Sequence, residues 1–103
     1  MKLSARSLKK MEENADAAEQ LLKSLANANR LKVLCQLVGG ERSVGELEQQ
    51  LSLSQSALSQ HLARLREQGI VTSRKDGTTV YYRVVSEPAM QIMQLLHGVY
   101  CQE

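Results

Sequence analysis

The chain has 103 residues and a formal net charge of +2, and it contains neither Phe nor Trp. This length fits one domain, covering residues 1–103, whose core is built from aliphatic side chains. No charged and then apolar leader is found, and no apolar run approaches the roughly 20 residues of a membrane span. We therefore expect a cytoplasmic protein with no membrane association.

Apolar residues at the start of the chain recur at intervals of three and four, which predicts a first helix with a heptad stripe. The stripe consists of Leu8, Met11, Ala15, Ala18, Leu22 and Leu25. Asn27 is a suitable N-cap for a second helix, and Gly39 and Gly40 are expected to end it. The apolar face of this second helix carries Leu31, Leu34, Cys35 and Val38.

Two further helices are predicted next, of which the first is short. Ser43 and Glu46 form the S-x-x-E capping box of a third helix that ends near Leu51. Ser54 caps a fourth helix, which Gly69 terminates and whose inward face carries Leu58, Leu62 and Leu65. A short helix, a tight turn and a second helix together indicate a helix-turn-helix.

The hydrophobic period then changes to that of strands. The segments IVTSRK and TTVYYRVV flank Asp76-Gly77, a strong signal for a two-residue hairpin turn. Glu87 and Pro88 are expected to open a last helix that runs to the C-terminus. The predicted fold class is therefore mainly α with a β-hairpin wing, a winged helix-turn-helix.

The outer face of the fourth helix carries small and amide side chains, within a basic segment. Residues 54–83 hold five bases and two acids, whereas residues 11–53 hold four bases and seven acids. In a major groove, Gln can read adenine through two hydrogen bonds and Ser can pair with several bases, while Arg and Lys beside the wing turn can contact phosphate or the minor groove. The alternative is an ordinary polar surface helix. The residues predicted to contact double-stranded DNA are Gln55, Ser56, Ser59, Gln60, Arg64, Arg66, Arg74 and Lys75.

Three segments, RLKVLCQL, SVGELEQQLSLSQSALSQHLARLREQGIV and RKDGTTVYYRV, resemble the ArsR/SmtB family of winged-helix repressors. The similarity runs over about residues 21–100. It implies a homodimer built on the first and last helices and an inducer that weakens operator binding. Such a dimer is expected to require an inverted-repeat operator. The heptad stripe of the first helix agrees with such a dimer.

The ligand sets of metal-sensing members of that family are missing from this chain. The third helix reads ELEQQL, with no thiol, and the last helix begins SEPAMQIM, without an Asp-x-His pair. His97 is followed three positions later by Tyr100 rather than by His or Glu. No metal site and no cofactor are predicted, although Cys35, His61, His97 and Cys101 could supply an unrelated zinc set. A metal-responsive repressor therefore stays open as an alternative.

The two cysteines, Cys35 and Cys101, match no metal-finger spacing, and a standing structural disulfide is not expected in a reducing compartment. By itself, Cys35 fits a small buried hydrophobic residue. Together, a cysteine in RLKVLC and one in LLHxxYC resemble the BigR, SqrR and HlyU branch of the family. Members of that branch join two thiols in a disulfide or polysulfide and release DNA. The resemblance implies a switch at Cys35 and Cys101 that responds to reactive sulfur species or oxidants.

Other assignments stay open. His97, one turn before Cys101, could favour a thiolate, whereas the negative end of the helix dipole disfavours one. His61 borders the inward face of the fourth helix, where a hydrogen bond to a neighbouring helix competes with base reading. A thiol-independent anti-repressor or interaction module and a redox enzyme are rival functions. No oxyanion donors or substrate pocket can be read beside a Cys-His pair, so no catalytic residue and no enzyme are predicted.

Overall fold

The computed structural model describes residues 3–101 and contains five helices and three strands. In chain order these are α1 (Ala5–Leu25), α2 (Ala28–Leu37), β1 (Arg42–Ser43), α3 (Val44–Gln50), α4 (Gln55–Glu67), β2 (Val71–Asp76), β3 (Thr79–Val84) and α5 (Glu87–Tyr100). The strands form one antiparallel sheet in the order β1-β3-β2. The predicted winged helix-turn-helix is confirmed.

The helix starts follow the capping signals of the sequence. The Ser43 hydroxyl accepts a hydrogen bond from the Glu46 N–H (3.1 Å), and the Ser43 N–H donates to the Glu46 carboxylate (3.0 Å), which completes the predicted capping box of α3. The Ser54 hydroxyl accepts from the Ala57 N–H (3.1 Å) at the start of α4, and Asn27 caps α2. These bonds satisfy backbone donors that have no partner within the helix.

The end of α4 is fixed by a Schellman motif. Gly69 has a φ of +74°, its N–H donates to the Arg66 carbonyl (3.0 Å), and the Ile70 N–H donates to the Leu65 carbonyl (2.9 Å). Leu65 and Ile70 are both buried, which gives the apolar contact that accompanies this motif. The chain therefore leaves α4 in a defined direction and enters the wing.

The hairpin turn lies one residue later than predicted. Asp76 pairs with Thr79, so the two turn residues are Gly77 and Thr78 rather than Asp76 and Gly77. Gly77 has a φ of +64°, and none of the described non-glycine residues has a positive φ. A positive φ at the first turn position alone is typical of a type II′ turn, which needs no left-handed aspartate.

The core is aliphatic, and α2 lies at its centre, in contact with α4, α5 and β3. On α2 the deepest side chains are Val33, Leu34 and Leu37, while Cys35 is only half-buried. The face predicted from the sequence was therefore rotated, because only Leu34 of its four members is fully buried. The buried apolar residues are Leu25, Val33, Leu34, Leu37, Leu47, Leu58, Leu62, Leu65, Ile70, Val71, Ala89 and Met93.

Helix α1 extends away from this core. Residues 3–17 are all exposed, and only Ser24 and Leu25 of the helix are buried. The Arg30 guanidinium donates hydrogen bonds to the carbonyls of Ser24 (2.8 Å) and Lys23 (3.1 Å), which holds the C-terminal end of α1 against α2. The heptad stripe is consequently open to solvent along most of its length.

Candidate nucleic-acid interface and dithiol site

The outer face of α4 is exposed along its whole length. Leu58, Leu62 and Leu65 point into the core, as predicted. Because a helix buries one stripe and presents the opposite face, the polar residues of α4 are directed away from the core. The predicted base and phosphate contacts that are exposed here are Gln55, Ser56, Ser59, Gln60, Arg64 and Arg66.

His61 lies at the edge of this face and is half-buried, as expected. It borders an open cleft with Arg30, Gln60 and Arg64. Among residues 3–101 its ring forms no hydrogen bond, so the structure does not show the bond to a neighbouring helix that was one of its two possible roles. Besides these basic and amide side chains, the cleft is lined by Ala63 and by the carboxylate of Glu67.

On the wing, Arg74 already has a partner within the chain. Its guanidinium donates two hydrogen bonds to the Glu41 carboxylate, at 2.8 and 2.7 Å, and lies 4.4 Å from the centre of the Tyr81 ring. The ion pair lowers the pKa of Glu41 and raises that of Arg74. Arg74 is therefore oriented by the protein and partly neutralised. The sequence reasoning missed this because Glu41 is 33 residues away.

Lys75 is exposed beside Arg74 but lies on the opposite face of the hairpin, because side chains alternate along a strand. The register pairs Arg74 with Tyr81 and Lys75 with Val80. The two predicted wing contacts therefore face different directions. The exposed Arg83, which pairs with Thr72, shares the face of Arg74 and is a further basic group that was not singled out from the sequence.

The two cysteines, although 66 positions apart, are in contact. The Sγ atoms of Cys35 and Cys101 lie 3.5 Å apart, and both cysteines are free thiols. Cys35 projects from α2 and is half-buried, whereas Cys101 forms the C-cap of α5 and is exposed. The Cys101 N–H donates to the His97 carbonyl (2.9 Å), which keeps Cys101 in register with the last turn of the helix.

The environment of the thiol pair is mostly apolar, with one lysine and one histidine at its edge. Both sulfurs line a groove of about 290 Å³ together with Leu31, Lys32, Met93, Leu96, His97 and Tyr100. Burial raises the pKa of the Cys35 thiol, and the hydrogen bond and the charge interaction with Cys101 raise it further. The Cys35 thiol is therefore more protonated at neutral pH than an ordinary cysteine thiol, and it is less accessible to solvent than the exposed Cys101 side chain.

His97 joins this pair. A ring nitrogen of His97 and the Sγ atoms of Cys35 and Cys101 lie within 4.8 Å of one another. The other member of the possible zinc set, His61, is on α4 and does not belong to this cluster. The third-helix segment ELEQQL contributes no thiol, as noted from the sequence.

Residues 27–73 match the bacterial regulatory protein, arsR family, profile. The transcriptional activator HlyU of Vibrio cholerae is 52% identical over 95 residues, covering 92% of this chain and 88% of that protein. The biofilm growth-associated repressor of Xylella fastidiosa is 43% identical, covering 90% of this chain and 82% of that protein. A solved structure of reduced HlyU from Vibrio cholerae superposes with a TM-score of 0.86 at 51% identity, covering 91% of this chain and 99% of that one.

The chain belongs to the ArsR family. It is a winged-helix transcriptional regulator that binds DNA, and its relatives are regulators rather than enzymes. The redox-enzyme alternative is therefore wrong. In the described part of this ArsR-family regulator, no helix is both long enough and apolar enough to cross a membrane.

Proposed function

We propose that this regulator is a homodimeric repressor that binds an inverted-repeat operator and releases it when Cys35 and Cys101 are joined. The observation that carries the proposal is the 3.5 Å separation of the two Sγ atoms. It supports a covalent link because neither helix has to move far to bring the sulfurs into bonding range. Reactive sulfur species or oxidants are the proposed inducers, and residues 1–103 act as one domain.

The proposed DNA surface combines α4 with the wing. Gln55, Ser59 and Gln60 are exposed near the N-terminal end of α4, the part of a recognition helix that contacts base edges. Arg64 and Arg66 follow toward the C-terminal end, and Ser56 lies among the first turns. Lys75 and Arg74 on the wing are proposed to contact the backbone, where they add affinity without reading sequence.

The proposed dimer uses α1 and α5. Leu8, Met11 and Leu22 on α1 are 51%, 60% and 56% exposed, and Leu95 and Val99 on α5 are 68% and 62% exposed. Large apolar side chains grouped along two helices favour burial against a second protein surface. A second copy of the chain would bury both stripes at once and place two α4 helices for successive major grooves.

The proposed switch begins at Cys101, because its thiol is exposed and that of Cys35 is half-buried with a raised pKa. The Cys101 thiolate attacks the terminal sulfur of a persulfide such as glutathione persulfide, glutathione thiolate leaves, and Cys101 carries the persulfide. The Cys35 thiolate then attacks the Cys101 Sγ, which forms the disulfide and expels hydrosulfide. With a peroxide, Cys101 becomes a sulfenic acid, and Cys35 displaces its oxygen as water.

A bridge with one inserted sulfur fits the observed spacing. If both cysteines first carry a persulfide, the terminal sulfur on Cys101 attacks the Cys35 Sγ, and hydrosulfide leaves. With S–S bonds of about 2.05 Å and an angle of about 107°, the outer sulfurs of such a bridge lie roughly 3.3 Å apart. This is close to the 3.5 Å seen between the free thiols. A direct disulfide requires a contraction of about 1.5 Å, so it displaces the helices more.

Either bridge ties α2 to the C-terminal end of α5. Helix α2 also contacts α4, and α5 carries part of the proposed dimer surface. A shift where α2 meets the end of α5 therefore changes the spacing of the two recognition helices of the dimer. Both helices must fit the operator at the same time. A coupling free energy of about 1–3 kcal/mol is sufficient to change operator affinity about 5- to 150-fold.

Single serine variants test the proposal. We expect Cys35→Ser and Cys101→Ser to bind operator as the reduced wild type does and to stay bound after treatment with glutathione persulfide, measured by fluorescence anisotropy. Dithiothreitol provides the control, because it must restore binding by the treated wild type. Release of either variant by persulfide would show that the two-thiol switch is wrong.

The Vibrio cholerae relative is named a transcriptional activator, which favours a second candidate function for this chain. In that case the regulator would activate by displacing another DNA-bound protein, without need of its thiols. Transcription from the target promoter in a purified system distinguishes the two. A repressor lowers transcription by itself, whereas an anti-repressor has an effect only when the second protein is present.

A further inference from the structure

We infer that Cys35, His97 and Cys101 form a zinc site in the reduced regulator. Their three ligand atoms lie within 4.8 Å of one another, and each residue offers one atom. The site shares its thiols with the proposed switch but does not depend on persulfide chemistry. It also differs in place from the third-helix and last-helix metal sets that the sequence lacks.

The spacing of the sulfurs suits coordination. With Zn–S bonds of about 2.3 Å and tetrahedral angles, two thiolates on one zinc ion lie roughly 3.8 Å apart. The Sγ atoms are 3.5 Å apart, so a small outward movement of side chains is sufficient. Cys101 and His97 are exposed and can adjust, while the half-buried Cys35 provides the fixed ligand.

The backbone prearranges two of the three ligands. His97 and Cys101 are four residues apart, and the hydrogen bond from the Cys101 N–H to the His97 carbonyl (2.9 Å) extends the helical register to the cap. Residues four apart lie on the same face of a helix, one turn from each other. Cys35 completes the set from α2, so the ion would join the same two helices as the proposed bridge.

The donor types favour zinc over hard cations. Two thiolates and one imidazole match the sulfur and nitrogen ligands of Zn²⁺, whereas Mg²⁺ and Ca²⁺ require oxygen ligands. Among the described residues, the cluster contains no carboxylate. Because His97 and Cys101 are exposed, solvent can occupy the fourth position.

Coordination and bridging exclude each other. Zinc withdraws electron density from a thiolate that it holds and so lowers the nucleophilicity of that sulfur toward a persulfide, and a bridged sulfur is no longer a thiolate that can bind zinc. Bound zinc is therefore expected to slow formation of the bridge in proportion to site occupancy. Any effect of zinc on DNA binding is expected to act through these thiols and to be lost in Cys101→Ser.

Competition with a chromophoric zinc chelator tests the site, using the reduced full chain. We expect one zinc per chain in the wild type and at least about a tenfold loss of affinity in Cys35→Ser, Cys101→Ser and His97→Gln, because even supporting residues of metal sites contribute this much. His61→Gln is the matched control and should bind zinc as the wild type does. Cadmium provides a second readout, since its thiolate complexes absorb in the near ultraviolet.

The His97→Gln variant distinguishes the zinc site from the proposed switch. His97→Gln keeps both thiols, so persulfide should still bridge them, as measured by intact mass, while zinc binding is lost. Unchanged zinc affinity in His97→Gln, an equal loss in His61→Gln, or zinc binding that survives removal of both cysteines would overturn the inference. Failure of the wild type to compete with the chelator would overturn it as well.

Discussion

The recognition surface and the dithiol site differ in how the chain assembles them. The proposed recognition surface comes from one helix and the first strand of the hairpin that follows it, within residues 55–75. The dithiol site combines α2 with the end of α5, across 66 positions of sequence. A local surface can be placed from helical periodicity and caps, whereas the distant pair depends on the packing of two helices.

The largest expected effect concerns the proposed contact between protomers, which is needed to place two recognition helices on one operator. Leu22→Glu places a charge on the exposed α1 stripe, so we expect a monomer in sedimentation velocity and a fall of operator affinity toward the non-specific level, about a thousandfold or more. Gln20→Glu introduces the same charge on the same helix and should stay dimeric. A dimeric Leu22→Glu variant would show that α1 does not form the interface.

The second-largest effect is expected from the proposed division of the DNA surface, in which α4 contacts base edges and the wing contacts the DNA backbone. We expect Gln60→Ala to lower the preference for the cognate operator by about 1–3 kcal/mol, while Lys75→Ala weakens binding to all sequences and reduces the salt slope by about one. Gln94→Ala, an exposed glutamine of α5 outside the row formed by Leu95 and Val99, serves as the control for loss of a glutamine. Equal affinity of the wild type for scrambled and cognate DNA would contradict this division.

The dithiol site should respond to pH, because the pKa of Cys35 is raised by burial and by its contact with Cys101. Below that pKa most of the Cys35 thiol is protonated, so the rate of bridge closure is expected to rise up to about tenfold per pH unit as the thiolate fraction grows. Quenched samples analysed by intact mass give this rate from pH 7 upward. A closure rate that is flat or falls with pH would show that Cys35 is not the closing thiol.

The smallest expected effect concerns Arg74 on one face of the wing. Glu41→Gln removes the carboxylate that holds Arg74 and should strengthen DNA binding severalfold at low salt, with less effect at high salt. Because Arg74 lowers the pKa of Glu41, the carboxylate stays charged and the pair persists at neutral pH. Glu48→Gln removes an exposed charge from α3 as the control. If both variants bind alike, Arg74 does not contact DNA.

The sequence predicted most of the fold because its signals are local. The capping box of Ser43 and Glu46, the Ser54 cap and the Gly69 terminus each act within a few residues, and all are confirmed. The two-residue strand β1 was missed because it exists only through pairing with β3. The turn was placed one residue early because Asp76 and Gly77 suit more than one turn type.

The candidate site was predictable in part. Helical periodicity predicted the exposed face of α4. The ion pair of Arg74 and Glu41 could not be predicted, because it forms only when the residue before β1 packs beside the wing. The closeness of Cys35 to Cys101 followed from the family resemblance, since no local signal links residues 66 apart. The position of His97 beside both sulfurs required the packing of α5 on α2.

The central claim is that the bridge itself controls operator binding. Glutathione persulfide is titrated into the reduced wild type, and intact mass and operator affinity are measured on the same samples. We predict that loss of operator binding follows the fraction of chains with Cys35 and Cys101 bridged, and that dithiothreitol reverses both together. Fully bridged protein that retains its operator affinity, or release of DNA before any bridge forms, would contradict the account.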